Sequence, residues 1–319
     1  MSPSPLLITC VGVDFDLDLF PHFLRHYLTL GVERERVLTI LNSQDEKSSN
    51  LALAEAMLAD HGMTPADVWI APYTSDSMWA RRRALQEHHA TRADWVLSAD
   101  VDEFHEYPEP LADFLGRCDA MNVNVAHGVF IDRLAPDGRL EPVRPEPDLM
   151  RQFPVQADVI WSLAGRGTHH DRWGTVKLMA FRGHIFPGRG GHGAPPGQPA
   201  LNLYAMPLGD FPGVEQPGFR FRVPTRVHHF HWTAKLPGML RRRLATPGVS
   251  AAGREYGRKQ LDHIERHDGI DLTAVAIAPP LAGQNWSYRL RRMRLEGRFR
   301  RAIAPAGRVV RSLFRRSRP

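Results

Sequence analysis

The chain has 319 residues, a net charge of +6 and only two cysteines, Cys10 and Cys118. That length accommodates one large α/β domain with a real core plus an appendage, while two distant cysteines in apolar settings exclude a disulfide framework or a Cys-x-x-Cys metal knuckle and point to a reducing compartment. Residues 289–319 hold twelve arginines against one glutamate and leave the rest of the chain at −5, which argues against a nucleic-acid-binding body, where Lys and Arg would spread over one face.

The N-terminus, Met1 to Pro5, has no basic n-region, and the apolar run behind it soon meets Asp14 and Asp16. It is too short for a signal or a membrane span, so a cytoplasmic location is expected. Leu6 to Val11 reads as a strand, and Leu17 to Leu30 has helical spacing stopped by Gly31. Arg36 to Leu41 is a second strand, Asn50 to His61 a second helix and Asp67 to Ala71 a third strand. Ser77 to His89 is a third helix and Asp94 to Ala99 a fourth strand. Strand–helix alternation predicts an α/β fold with a mostly parallel central sheet flanked by helices. After Glu106 the pattern loosens. Strands are expected over Met121 to Ile131, Thr175 to Phe181 and Arg222 to Trp232, without regular helices between them. A Gly- and Pro-rich segment from Gly183 to Gly218 reads as a binding loop or lid.

The fourth strand runs into Asp100-Val101-Asp102-Glu103-Phe104. On a strand, Asp100 and Asp102 share one face and Glu103 points elsewhere. Two carboxylates at a strand's carboxyl end, where open α/β sheets bind ligands, suit a divalent cation such as Mg²⁺ or Mn²⁺ bridging to a diphosphate. A Walker-B strand would need a Gly-x-x-x-x-Gly-Lys-Ser/Thr loop, which the chain lacks, and Phe104, His105 and Tyr107 do not fit an EF-hand loop. Gly188 to Gly193 matches Gly-x-Gly-x-x-Gly in form only, because Ala194-Pro195-Pro196-Gly197 cannot continue a helix. His263-Ile264-Glu265-Arg266-His267 has its Glu in the wrong position for a zincin and reads as a solvent-facing helix.

Asp-Val-Asp-Glu-Phe, with the upstream strand–helix order, resembles the family 2-like glycosyltransferases of GT-A fold over roughly residues 6 to 245. Phe20 to Gly31 is similar to that family's first helix, and Leu41-Asn42-Ser43-Gln44-Asp45 to its polar turn after strand two. Val13-Asp14-Phe15-Asp16 stands where the family usually has Asn-Glu. The resemblance implies a GT-A-like domain over 1–245, with a nucleotide-binding half at 1–106 and an acceptor half at 107–245, and a helical extension at 246–319. It implies inverting transfer from a nucleotide-diphosphate sugar to a hydroxyl of a saccharide or lipid-linked acceptor, in cell-envelope polysaccharide or glycolipid synthesis. Asp100 and Asp102 then hold Mn²⁺ or Mg²⁺, with His229 or His192 as a further ligand. Gly12, Asp16, Asn42, Asp45, Arg82, Asp100 and Lys177 contact the donor, and Asp171 or, second, Glu215 is the base. Val227, His229 and His231 share one face of their strand, so at least one histidine of Val227 to His231 is expected to be structural. Trp173 or Trp232 offers a ring to a sugar.

Arg308 to Arg316 sets Val309, Val310, Leu313 and Phe314 at helical spacing among arginines, the pattern of a short interfacial helix on anionic lipid. The enzyme is thus expected to be peripheral on the inner membrane face. A nucleotidyltransferase, or a non-catalytic sugar-nucleotide-binding protein, remains open as an alternative.

Overall fold

The computed structural model describes residues 4–164, 176–202, 221, 223–246, 249 and 251–278. Its fold is α/β with a central sheet flanked by helices. The strands are β1 (Leu6–Gly12), β2 (Val37–Ser43), β3 (Asp67–Ile70), β4 (Trp95–Ser98), β5 (Glu103–Glu106), β6 (Val125–Leu134), β7 (Val155–Asp158), β8 (Val176–Arg182), β9 (Ala200–Asn202), β10 (Arg226–His229) and β11 (Ala276–Ile277). The helices are α1 (Phe20–Thr29), α2 (Ser49–Ala59), α3 (Ser75–His89), α4 (Leu111–Ala120), α5 (Leu149–Gln152), α6 (Val159–Ala164), α7 (Leu236–Ala245) and α8 (Ala251–His267).

The first four strands lie in the order β3-β2-β1-β4, all parallel. β1 and β2 are buried along their whole length, which explains why they read as continuous apolar runs. Local chemistry marks the helix ends. Thr74 caps α3 by accepting from the Ser77 amide, and Gly31, at φ +96°, takes the left-handed turn after α1.

Beyond β4 the sheet turns antiparallel through β8, β6, β7 and β11. β6 is its hub: ten buried residues that pair with β8 and then β7, and also parallel with β9 and β10. The same sheet therefore continues across residues 106 and 107. The loosened region also contains α4, ahead of the expected strands and not foreseen, with Leu111, Phe114, Leu115 and Cys118 as its buried face, and the short α5 and α6 between the first two strands, contrary to expectation. Of the Gly- and Pro-rich segment, residues 183–202 are described and hold a 3-10 turn over Arg189–Gly191, while 203–220 lie outside the described residues.

The expected helix around His263 is α8, with Ile264 buried and Glu265 exposed. It joins Leu236 and Leu240 of α7 around Trp232 in a second apolar cluster. Trp232 is fully buried and donates its indole N–H to Asp132 at 2.8 Å. It is a core residue and not a ring offered to a sugar. Cys10 and Cys118 are both buried free thiols. No helix among the described residues is long and apolar enough to cross a membrane.

Candidate active site

The acidic motif sits at the carboxyl ends of β1 and β4, but it does not continue a strand. β4 stops at Ser98, and Asp100 to Glu103 form a turn closed by the Glu103 amide on the Asp100 carbonyl at 2.9 Å. Thr9 holds the turn from β1 through a hydrogen bond to Ala99 O at 2.9 Å, and Tyr27 holds it from α1 through Glu103 O at 2.9 Å. Because the backbone turns, Asp100 and Asp102 do not share a pleated face.

Asp100 faces two buried cations. Its Oδ1 accepts from Arg82 Nη2 at 2.6 Å, and its Oδ2 lies 3.5 Å from Lys177 Nζ. Arg82 and Lys177 are 3% and 1% exposed. Lys177 is claimed more tightly by Glu103, at 2.6 Å, and Glu103 in turn accepts from the Asp100 amide at 3.0 Å. Glu103 thus folds back beside Asp100, bridged to it by Lys177, instead of pointing elsewhere as strand alternation suggests, and its carboxyl is pushed up to about 7, mainly by burial. The two predicted donor-binding cations are consumed in setting the motif's shape. Gly191, at φ +68°, lies against this pair: a Cβ there would stand 3.0 Å from Lys177 Cε and 3.2 Å from Trp79. The glycine-rich turn therefore covers the ion pair, which requires the absence of a side chain.

Asp102 faces the other way, toward two histidines. Its Oδ2 is 3.4 Å from His229 Nε2 and 3.3 Å from His231 Nδ1. The three donor atoms lie within 4.8 Å of one another, and the imidazoles stack at 5.0 Å with their planes 7° apart. Strand register produces this meeting: His229 pairs with Glu103 of β5 on one side and with Asp132 of β6 on the other. One further bond, from the Phe230 amide to Asp102 O at 2.8 Å, carries the β5–β10 ladder into the motif.

Asp132 completes the group. Its Oδ1 lies 2.9 Å from His229 Nδ1, and its Oδ2 accepts from the first amides of α6 at Val159 and Ile160. A carboxylate holding the far nitrogen of a histidine fixes that ring's tautomer and aims its other nitrogen, the usual support of a metal-bound histidine. Against the cost of burial, Asp102 and Asp132 push the His229 imidazole up to about 10. Against the same cost, the His229 charge holds the Asp102 carboxyl well below the usual range.

Asp16 stands beside this group, in the turn after β1. Burial, then the charges of Asp102 and Asp100, push its carboxyl up to about 8. Gly12 provides the space, since a Cβ there would meet Phe15 at 3.3 Å and Asp16 Oδ2 at 3.4 Å. Crowded carboxylates of this kind favour a cation between them.

The remaining expected residues are more scattered. Asn42 is buried, and its amide nitrogen is used by the carbonyls of Trp69 and Ala71, at 3.0 and 2.9 Å; its amide holds the end of β3. Asp45 is exposed and closes its own turn on the Lys47 amide. His192 places Nδ1 2.7 Å from Val176 O and does not join the three-residue cluster. Its ring packs beside Phe130, which also contacts His229. Asp171, Glu215, Trp173 and the arginine tail lie outside the described residues.

One member of the site escapes the sequence reading, and another is only its second choice. His231 shares strand parity with His229 and is the alternative position for the family's late histidine. Asp132 is a lone acid in the apolar run Val129-Phe130-Ile131, where a buried carboxylate demands a partner.

No family model matches the chain, and no curated protein matches it. Among solved structures, the chain is similar to S. aureus TarS 1-349, at 10% identity over 83% of this chain and 73% of that one, with a TM-score of 0.32. It is similar to the same protein in complex with UDP, at 11% identity over 82% and 72% with a TM-score of 0.34. For the complex with UDP-GlcNAc the values are 10%, 82%, 73% and 0.33.

Proposed function

We propose that the chain is a metal-dependent glycosyltransferase that moves a sugar from a nucleotide-diphosphate sugar to a hydroxyl acceptor, with inversion. The observation that carries this reading is the convergence of Asp102, His229 and His231 at the carboxyl edge of the parallel strands, with Asp16 and Asp100 beside them. The donor set fits a divalent ion. One carboxylate and two imidazoles leave coordination positions open for phosphate oxygens, and the nitrogen ligands favour Mn²⁺ or a later ion over Mg²⁺.

A bound cation supplies positive charge opposite the diphosphate as the sugar leaves; one pair of unit charges about 4 Å apart is worth roughly 4 kcal/mol at an effective dielectric near 20. The chain's own residues prepare the place. Asp132 aims His229, and the Arg82 and Lys177 charges keep Asp100 ionised at the rim. Asp16 adds a carboxyl poised to lose its proton when positive charge arrives. The proton of the acceptor hydroxyl is assigned to Asp171, with Glu215 second, on sequence grounds alone. The acceptor is taken to be a saccharide or lipid-linked saccharide, with the basic tail holding the enzyme at an anionic membrane face. The nucleotidyltransferase alternative has less support, because the β1–α1 turn carries Gly12 but no further glycine before Phe20.

Nucleotide release from a panel of sugar nucleotides, with and without Mn²⁺, tests the reading. Release is expected to require the metal and to collapse in Asp102→Asn. Turnover in EDTA that Asp102→Asn leaves intact would overturn it.

A further inference from the structure

Strands β10 and β6 carry a second polar cluster on the face opposite His229 and Asp132. Alternation along β10 sends Arg226 and His228 to that face, and alternation along β6 sends Arg133 there. Glu106 of β5 stands directly across from Arg226. Arg133, Arg226 and His228 are 4%, 7% and 5% exposed. The Glu106 side chain is 47% exposed. The cluster is therefore buried at its base and opens to solvent beside Glu106.

Its hydrogen bonds do not balance. Glu106 Oε2 lies 2.8 Å from His228 Nε2 and 3.5 Å from Arg226 Nη1. Arg226 also donates to the carbonyls of Val223 and Phe221, at 2.8 and 3.0 Å. Arg133, by contrast, makes a single hydrogen bond among the described residues, from Nη2 to Met150 O at 3.4 Å. Its Nε is buried without a partner, and so is His228 Nδ1. Asp148, the other acid near Arg133, is already engaged by the Arg151 amide and guanidinium. Two buried guanidiniums thus share one rim carboxylate. Leaving a buried guanidinium N–H unmade is costly, and one additional anion would restore both charge and hydrogen bonding.

We propose that Arg133, Arg226 and His228 form an anion site that takes a phosphate group, back to back with the Asp102, His229 and His231 cluster. Guanidinium forks suit tetrahedral and planar oxyanions alike. The imidazole selects between them. With its Nε2–H given to Glu106, His228 presents Nδ1 as an acceptor, which the P–OH of a monobasic phosphate satisfies and a carboxylate does not.

The test is calorimetric titration of the full-length, EDTA-treated protein with inorganic phosphate, at constant ionic strength in chloride buffer. Saturable one-site binding is expected, retained in Asp102→Asn and lost in Arg133→Met. Glu106→Gln removes the competing carboxylate and is expected to tighten binding by roughly tenfold. Absence of saturable binding, equal binding in Arg133→Met, or equal binding of acetate would overturn the proposal. Loss of binding in Asp102→Asn would overturn it as well, by moving the phosphate to the other face. Should Arg133→Met fail to fold, Glu106→Gln decides: unchanged or weaker affinity there refutes the site.

Discussion

Asp132 grips His229 through a 2.9 Å contact to Nδ1 and thereby turns Nε2 toward Asp102, 3.4 Å away. The contact is buried at both ends and fixed by strand register, so the imidazole has little freedom to rotate away. Asp132→Asn replaces a charged acceptor with a neutral amide. Calorimetry with Mn²⁺ is expected to show affinity reduced by about 10–100-fold. Urea unfolding should show about 1–3 kcal/mol less stability, since Asp132 also accepts from Trp232 and from the start of α6. Mn²⁺ affinity left at the wild-type value would show that His229 binds no metal.

The two aspartates of the motif are predicted to behave differently. Asp102 converges with His229 and His231, whereas Asp100 is occupied by Arg82 and Lys177. His231→Ala should therefore weaken Mn²⁺ binding by about 100-fold or more, and Asp100→Asn by about tenfold or less, through lost local charge alone. The opposite ranking, measured by the same titration without nucleotide, would return the metal to both aspartates and leave His231 a bystander.

Legibility in the sequence followed how local each determinant is. β1 to β4 and α1 to α3 were readable because each is a short run with its own local pattern, α1 being stopped by Gly31. The metal reading of Asp100 and Asp102 came from local pattern, and that of His229 from the family resemblance alone. What escaped was set by distant chain. The course of Asp100 to Glu103 is imposed by Thr9 and Tyr27, and the ionic role of Glu103 depends on Lys177, 74 positions away. α4 went unseen because its apolar face is short, at Leu111, Phe114, Leu115 and Cys118, inside a segment dense in other signals. Asp132 could be flagged as an acid out of place, but only the β6–β10 register identifies His229 as its partner.

His26 lies against the main chain of β5, with Nε2 2.9 Å from His105 O, and burial pulls its imidazole down to about 4. Burial likewise holds His105 well below the ordinary range. Both groups bind fewer protons folded than unfolded between about pH 6.5 and 4, so their contribution to stability is intact above pH 6.5 and lost as pH falls through that window. Urea unfolding of the wild type at pH 7 and pH 5 is expected to differ by about 1 kcal/mol more than that of His26→Gln, allowing for solvent screening. An identical pH slope in the two proteins would refute this assignment.

Lys177 and Glu103 form the most deeply buried ion pair of the site, 2.6 Å apart with side-chain exposures of 1% and 4%. Such a pair contributes modestly as a unit, because desolvation offsets most of its attraction, yet removing one partner strands the other. Lys177→Met should cost about 3–5 kcal/mol, since it leaves Glu103 uncompensated and withdraws a cation from Asp100. Glu103→Gln should cost less, because an amide oxygen can still accept from the Asp100 amide. The double variant Lys177→Met with Glu103→Gln should recover part of the loss and come out more stable than Lys177→Met alone. A double-mutant cycle by urea unfolding at neutral pH measures the coupling, expected at about 1 kcal/mol or more. Additivity within error would mean that the two side chains do not act together. The shape of the acidic turn would then be owed to Thr9 and Tyr27 alone, and Lys177→Met would be expected to leave Mn²⁺ affinity at Asp102 untouched.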